Sequence, residues 1–165
     1  MNIIILSLAV LGFIFSLYLM YRTDHGIPGI QKYDEDFRLL DMRFRYNSKV
    51  VYNTFNSIGI KGMKLYKKYL AVDYFFILCF LIIMIAISYL ILPNTLYNNL
   101  LIILAFSRAL FDVIENTIII ILINQYPDKN IKLATICSWS TTFKFISLYL
   151  WIIGIIFGTV YILIF

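Results

Sequence analysis

Between Leu100 and Ile123 the chain is apolar enough to cross a bilayer, yet Arg108, Asp112, Glu115 and Asn116 lie inside that stretch. On a helix turning about 100° per residue, Arg108, Asp112 and Glu115 fall within about 60° of arc. The opposite face reads Leu110, Val113, Ile114, Thr117, Ile118 and Ile121. An ionisable group at mid-bilayer costs about 3 kcal/mol to insert. Such a helix can turn one face to lipid, but its other face must meet protein or water.

The rest of the chain points to the same solvent. It has 165 residues, 62% hydrophobic and 14% charged, whereas soluble domains carry about 25% charged residues. A soluble fold of this length exposes too much surface to hide that much Ile, Leu, Phe and Tyr. The sequence predicts an all-α integral membrane protein, a single transmembrane domain over residues 1–165. Four spans are expected at about 1–21, 70–92, 100–124 and 131–165, each near the ~20 residues that a hydrocarbon core requires or longer. They form an up-down four-helix bundle with a cytoplasmic helical loop over 22–69. The first stretch reads as a retained span, because no basic residue precedes Arg22 and no small-residue cleavage site follows.

The loop carries most of the charge. Residues 22–69 hold ten basic and five acidic side chains, net +5, equal to the net charge of the whole chain. Within the loop, Thr23 to Gly29 reads as a turn region, since it holds Asp24, Gly26, Pro28 and Gly29. Asp34-Glu35-Asp36 then opens a first amphipathic helix carrying Phe37, Leu40 and Phe44. Asn47 or Ser48 caps a second, with Val50, Val51, Phe55 and Ile58 as its apolar face and Gly59 as its stop. The two are expected to lie along the membrane surface or under the bundle.

Pro93-Asn94 and Tyr126-Pro127-Asp128 mark the two short turns. Basic residues outside the spans sit in the long loop and beside the second turn, so both termini are expected outside, in the plasma (cytoplasmic) membrane. Lys61, Lys64, Lys67 and Lys68 precede the second span and suit anionic lipid headgroups, at about 1 kcal/mol each. Membrane lipids are therefore the expected partners, and nucleic acid is not, because no reader motif is present. Residues 131–165 are one overlong helix or two, and Gly154 and Gly158 are spaced for close helix contact, within the chain or in a homo-oligomer.

Antiparallel spans of equal rise put Lys144 level with Asp112 and Glu115. Arg108, Asp112, Glu115 and Lys144 then form a neutral polar core, with Asn116 beside it. Asp73 falls nearer the cytoplasmic interface, within reach of Lys67, Lys68 or the loop. Thr135, Ser138, Trp139 and Thr142 share one face of the last stretch and line the same interior.

Three uses of this core remain open at this level. It is a structural clamp, or a site for a lipid, an ion or another ligand. The third is a lipid-modifying enzyme at the cytoplasmic interface, with Asp73, Tyr66 and the basic cluster gripping a headgroup. Lone cysteines at Cys79 and Cys137 and the single His25 give no thiolate or histidine metal box. No cofactor follows from the residues. A di-iron carboxylate set and an aspartyl peptidase pair both need acidic residues on further spans, in local patterns that are absent.

The run Asp41…Tyr46…Gly59…Gly62…Tyr66…Asp73, with Phe111-Asp112-x-x-Glu115-Asn116 and Tyr126-Pro127, resembles a pattern in uncharacterised four-span bacterial membrane proteins. There a G-x-x-G-x-x-x-Y run precedes an aspartate opening span two, and a D-x-x-E-N motif in span three is followed by a proline turn. The resemblance covers roughly Asp41 to Pro127 and implies Asp73, Asp112, Glu115 and Asn116 as shared features. Met63-Lys64 stands where a basic residue often follows the glycine directly. The resemblance implies no activity.

Overall fold

The computed structural model describes residues 3–91 and 96–164, and these are helical apart from turns and one irregular segment. Five helices follow in order: α1 (Ile3–Arg22), α2 (Ile27–Gln31), α3 (Ser48–Ile91), α4 (Leu96–Gln125) and α5 (Ile131–Ile164). A single 3-10 turn, Leu40–Met42, lies between α2 and α3. Three stretches, Ile3–Gln31, Ser48–Leu90 and Ile131–Ile164, are long and apolar enough to cross a membrane. The expected Pro93-Asn94 turn lies outside the described residues.

The packing order is α1 on α3, α3 on α4, and α4 on α5. Two apolar clusters hold it together. The larger joins Met20 and Ile30 to Leu40, Phe55, Tyr66 and Leu70 of the loop and α3, and to Ile119, Leu122 and Cys137 of α4 and α5. The smaller, further along, joins Met84, Leu101, Ala105 and Trp151. Asp73 of α3, Arg108 and Asp112 of α4, and Lys144 of α5 lie in sequence between the members of these two clusters. A polar layer therefore separates two apolar ones.

The loop departs from its expected form in two places. No helix begins at Asp34. Instead Asp34 Oδ1 accepts the Asp36 amide at 3.1 Å, its Oδ2 accepts the Ser57 hydroxyl at 2.6 Å, and its carbonyl accepts the Phe37 amide. Local side-chain bonds of this kind compete with helix formation. Ile27, Pro28 and Gly29, expected in a turn, instead open α2, with proline near its N-terminus, where a missing amide costs nothing.

Gly59 does interrupt the helix, as expected, and two helical segments meet there across a kink. Asn47 caps α3 through Oδ1 to the Val50 amide, 3.1 Å. Gly59 then adopts φ 60°, ψ −175°, and the helix resumes through Lys61–Tyr69 into the apolar stretch. The basic cluster is thus a helical extension of that stretch. Lys61, Lys64 and Lys68 are exposed along it, and Lys67 donates to Asn124 Oδ1 of α4 at 3.0 Å.

Residues 131–164 are one helix, about 50 Å long at 1.5 Å per residue. The glycine spacing on it serves contacts inside the chain. Gly154 faces Tyr97 and Leu101 of α4, and the Tyr97 hydroxyl donates to the Gly154 carbonyl at 2.8 Å. Gly158 is buried as well.

Candidate functional site

The polar layer is built around Lys144. Its Nζ lies 3.1 Å from Asp112 Oδ1, 2.7 Å from Glu115 Oε2 and 2.8 Å from the Asp41 carbonyl oxygen. Three N–H groups thus meet three oxygens. Asp112 and Glu115 are three residues apart on α4, so both acids present to one facing residue of α5. Arg108, one turn before Asp112, holds its other oxygen through Nη2 at 2.6 Å. Thr141 donates its hydroxyl to Glu115 Oε1. All of these groups are buried.

Two further acids join the layer, so four carboxyl groups meet two cations. Asp73 does not turn towards Lys67 or Lys68. Its Oδ2 accepts the Asn116 amide at 2.7 Å, and it lines the same cavity as Arg108, Asp112 and Lys144. One turn of α3 separates Tyr69 from Asp73, so the face of α3 that packs on α4 carries both. Asp41 arrives from the irregular segment. Its 3-10 turn packs against α4 and α5, anchored by the Leu40 amide donating to the Tyr66 hydroxyl at 3.1 Å. Tyr46 closes the segment on the other side by donating to Cys137 Sγ at 3.1 Å. Burial pushes the Asp41 carboxyl above the ordinary carboxylate range, against the pull of the nearby Lys144 charge.

These groups line one cavity of about 200 Å³. Its polar wall is Asp41, Asp73, Arg108, Asp112 and Lys144. Its apolar wall comes from Leu17 and Met20 of α1, Phe76 and Phe80 of α3, and Phe145 and Leu148 of α5. The Arg108 guanidinium stacks 4.6 Å over the Phe80 ring, which fixes its plane. Tyr21 and Tyr69 add hydroxyl-bearing rings to the wall. Helices α1 and α5 both border the cavity, although α1 packs on α3 and α5 packs on α4.

Not every polar atom there has a protein partner. Asp41 Oδ1, Arg108 Nε and Nη1, and Asn116 Oδ1 are buried without a hydrogen-bond partner among the described residues. Asp41 and Arg108 both line the cavity, so an unpartnered acceptor and an unpartnered donor belong to residues of one wall. Lys144, by contrast, has no N–H group to spare.

The polar residues expected on α5 divide between two places. Ser138 and Thr142 are buried, while Thr135 is exposed and Trp139 is 43% exposed. Thr135, Ser138 and Trp139 line a separate surface cleft with Arg45, Tyr46 and Asn47, and Arg45 lies 4.6 Å over the Trp139 ring. The residue that serves Glu115 is Thr141, one position from that expected face. Tyr66, expected to grip a headgroup, is fully buried and is not part of the cavity wall. No periodicity in the sequence placed Asp41 in the core.

Comparison with known protein families, characterised proteins and solved structures returns no match.

Proposed function

We propose that this chain is a four-span membrane protein that binds the polar end of a membrane amphiphile in the cavity between α1, α3, α4 and α5. One observation carries the reading. The charged cavity wall keeps a buried acceptor on Asp41 and buried donors on Arg108 without protein partners, beside walls of Leu and Phe. A structure built only to clamp helices gains nothing from such atoms, since each buried unsatisfied group costs about 1–3 kcal/mol.

The membrane arrangement supports it. Helix α4 packs along both α3 and α5, and only four and five residues separate it from them in the chain. If α3 and α5 cross, α4 crosses with them. The basic segments meet at one end, where Tyr52 bonds the Asn130 amide and Lys67 bonds Asn124. By the distribution of positive charge that end is cytoplasmic, and both termini are outside. Lys61, Lys64 and Lys68 then stand on the exposed face of α3 at the height of anionic headgroups.

Depth fits an amphiphile. Helix α1 has 20 residues and at 1.5 Å per residue is about as long as the hydrocarbon core is thick. Leu17, Met20 and Tyr21, from its last two turns, border the cavity. The charged layer therefore lies towards the cytoplasmic interface, not at mid-bilayer, where ionisable groups are most costly. The polar core divides by role. Lys144, Asp112 and Glu115 fasten α4, α5 and the loop, while Asp41, Asp73 and Arg108 face the ligand.

The test is native mass spectrometry of the full chain released from mild detergent. Wild-type protein is expected to retain lipid adducts. Leu17→Trp, which fills the apolar wall and leaves every charge in place, is expected to lose them without loss of thermal stability. Equal retention by both proteins would overturn the reading.

A further inference from the structure

The buried layer holds more acid than base. Asp41, Asp73, Asp112 and Glu115 are four carboxyl groups, and Arg108 and Lys144 are two cations, so the fully ionised set sums to 2 − 4 = −2. Lys144 and Arg108 are committed to Asp112 and Glu115. The surplus therefore belongs to Asp41 and Asp73, which both line the cavity. Among the described residues no set of three His, Cys, Asp or Glu side chains is placed to share a metal ion. Buried charge is tolerated when it is paired and hydrogen-bonded, and a cation placed in the cavity would pair with these two acids.

Two complementary needs belong to residues that line the same space. Asp41 Oδ1 needs a donor, and Arg108 Nε and Nη1 need an acceptor. Resting on the amphiphile-binding reading above, we infer that the ligand is a phospholipid with a primary ammonium in its headgroup, of the phosphoethanolamine kind. The ammonium meets Asp41 and Asp73, and the phosphate oxygen meets the free edge of Arg108. Guanidinium suits phosphate because its N–H groups form a planar fork. A cavity of about 200 Å³ has room for about seven waters at ~30 Å³ each, the scale of a headgroup and not of a whole lipid. The acyl chains leave past Leu17, Phe145 and Leu148, where α1 and α5 border the cavity without packing along each other.

The headgroup chemistry separates close relatives. A choline ammonium carries methyl groups and no N–H, so it cannot donate to Asp41 Oδ1. A glycerol headgroup has no cation to offset the two surplus acids. The full-length protein, delipidated in mild detergent, is titrated with phosphatidylethanolamine, phosphatidylcholine, phosphatidylglycerol and soluble phosphoethanolamine, and adducts are counted by native mass spectrometry. Phosphatidylethanolamine is expected to bind at least tenfold more tightly than the other two lipids. Asp41→Asn with Asp73→Asn is expected to erase that preference. Arg108→Lys, which keeps a cation for Asp112 but removes the fork, is expected to weaken all three lipids alike.

Phosphatidylcholine or phosphatidylglycerol binding as tightly, with adducts abolished by Leu17→Trp, would overturn the ammonium assignment and leave the amphiphile site standing. Adducts of every lipid that ignore Leu17→Trp would overturn both. Soluble phosphoethanolamine binding as tightly as the lipid would overturn the lipid as its source. These wild-type comparisons hold even if an aspartate variant fails to fold.

Discussion

Lys144 on α5 donates to the backbone carbonyl of Asp41 at 2.8 Å, across 103 residues of chain. One ammonium thereby fastens the irregular loop to α5, which carries it, and to α4, which carries Asp112 and Glu115. Irregular backbone is stable at membrane depth only where it is buried in protein or lines a cavity. The Leu40–Met42 turn meets that condition, with Leu40 fully buried and Asp41 4% exposed.

Lys144→Met should therefore be among the most damaging single changes in the chain. It leaves Glu115 without its cation and Asp112 with Arg108 alone, and breaking a buried pair from one side costs about 3–5 kcal/mol. Adding Glu115→Gln should restore part of the loss, because one stranded charge goes. Thermal unfolding in one detergent reads both. Lys67→Met, whose bond to Asn124 is exposed, should shift the midpoint far less. A Lys144→Met protein as stable as wild type would remove the clamp.

The surplus acids should behave in the opposite way. Asp73→Asn retains an oxygen for the Asn116 amide and removes a buried charge, so stability should hold or rise. A midpoint lowered as far as by Lys144→Met would mean that Asp73 belongs to the clamp.

Asp41 should make stability fall as pH rises. Its folded carboxyl is raised above the ordinary range by burial, opposed by Lys144 and reinforced by Asp112, with Asp73 and Arg108 also lining its cavity. A raised folded value means that its stabilisation is complete below the unfolded carboxylate value and is lost as pH climbs through the folded one. Asp41→Asn should match wild type in acid and exceed it at higher pH. Urea midpoints across pH check this, and parallel curves for the two proteins would count against it.

Gly59→Ala should be destabilising although nothing lies near its would-be Cβ. At φ 60° with ψ near 180° only glycine is at ease, and other residues pay about 1–3 kcal/mol there. Gly154→Ala acts by a different route. Its Cβ would come within 2.6 Å of Leu101 Cδ2, and Leu101 is itself buried. Overpacking of this kind costs about 1–3 kcal/mol. Because the contact is with α4 of the same chain, the oligomeric state measured by light scattering should not change. A change in subunit number with Gly154→Ala would show that the face also meets another copy.

Much of this arrangement was legible in the sequence because it is local. Apolar length marked the helices, and the 3.6-residue period put Arg108, Asp112 and Glu115 on one face of α4. Equal rise on antiparallel neighbours placed Lys144 at their level. Asn47 was readable as a cap because a cap is made within a few residues of itself.

What only the tertiary structure decided are the contacts with no local period behind them. Asp41 enters the core because Asp34 folds its own turn and prevents a surface helix, leaving a segment that Tyr66 of α3 and Lys144 of α5 capture and that its own Tyr46 ties to Cys137. Asp73 faces the cavity because α3 continues unbroken from Lys61 and turns that face towards Asn116. Gly154 serves α4 because Tyr97 lies opposite it. Helical spacing tells which residues share a face, but which face meets which neighbour depends on how the whole chain packs, and that packing brought Asp41 and Asp73 to the cavity beside Arg108, Asp112 and Lys144.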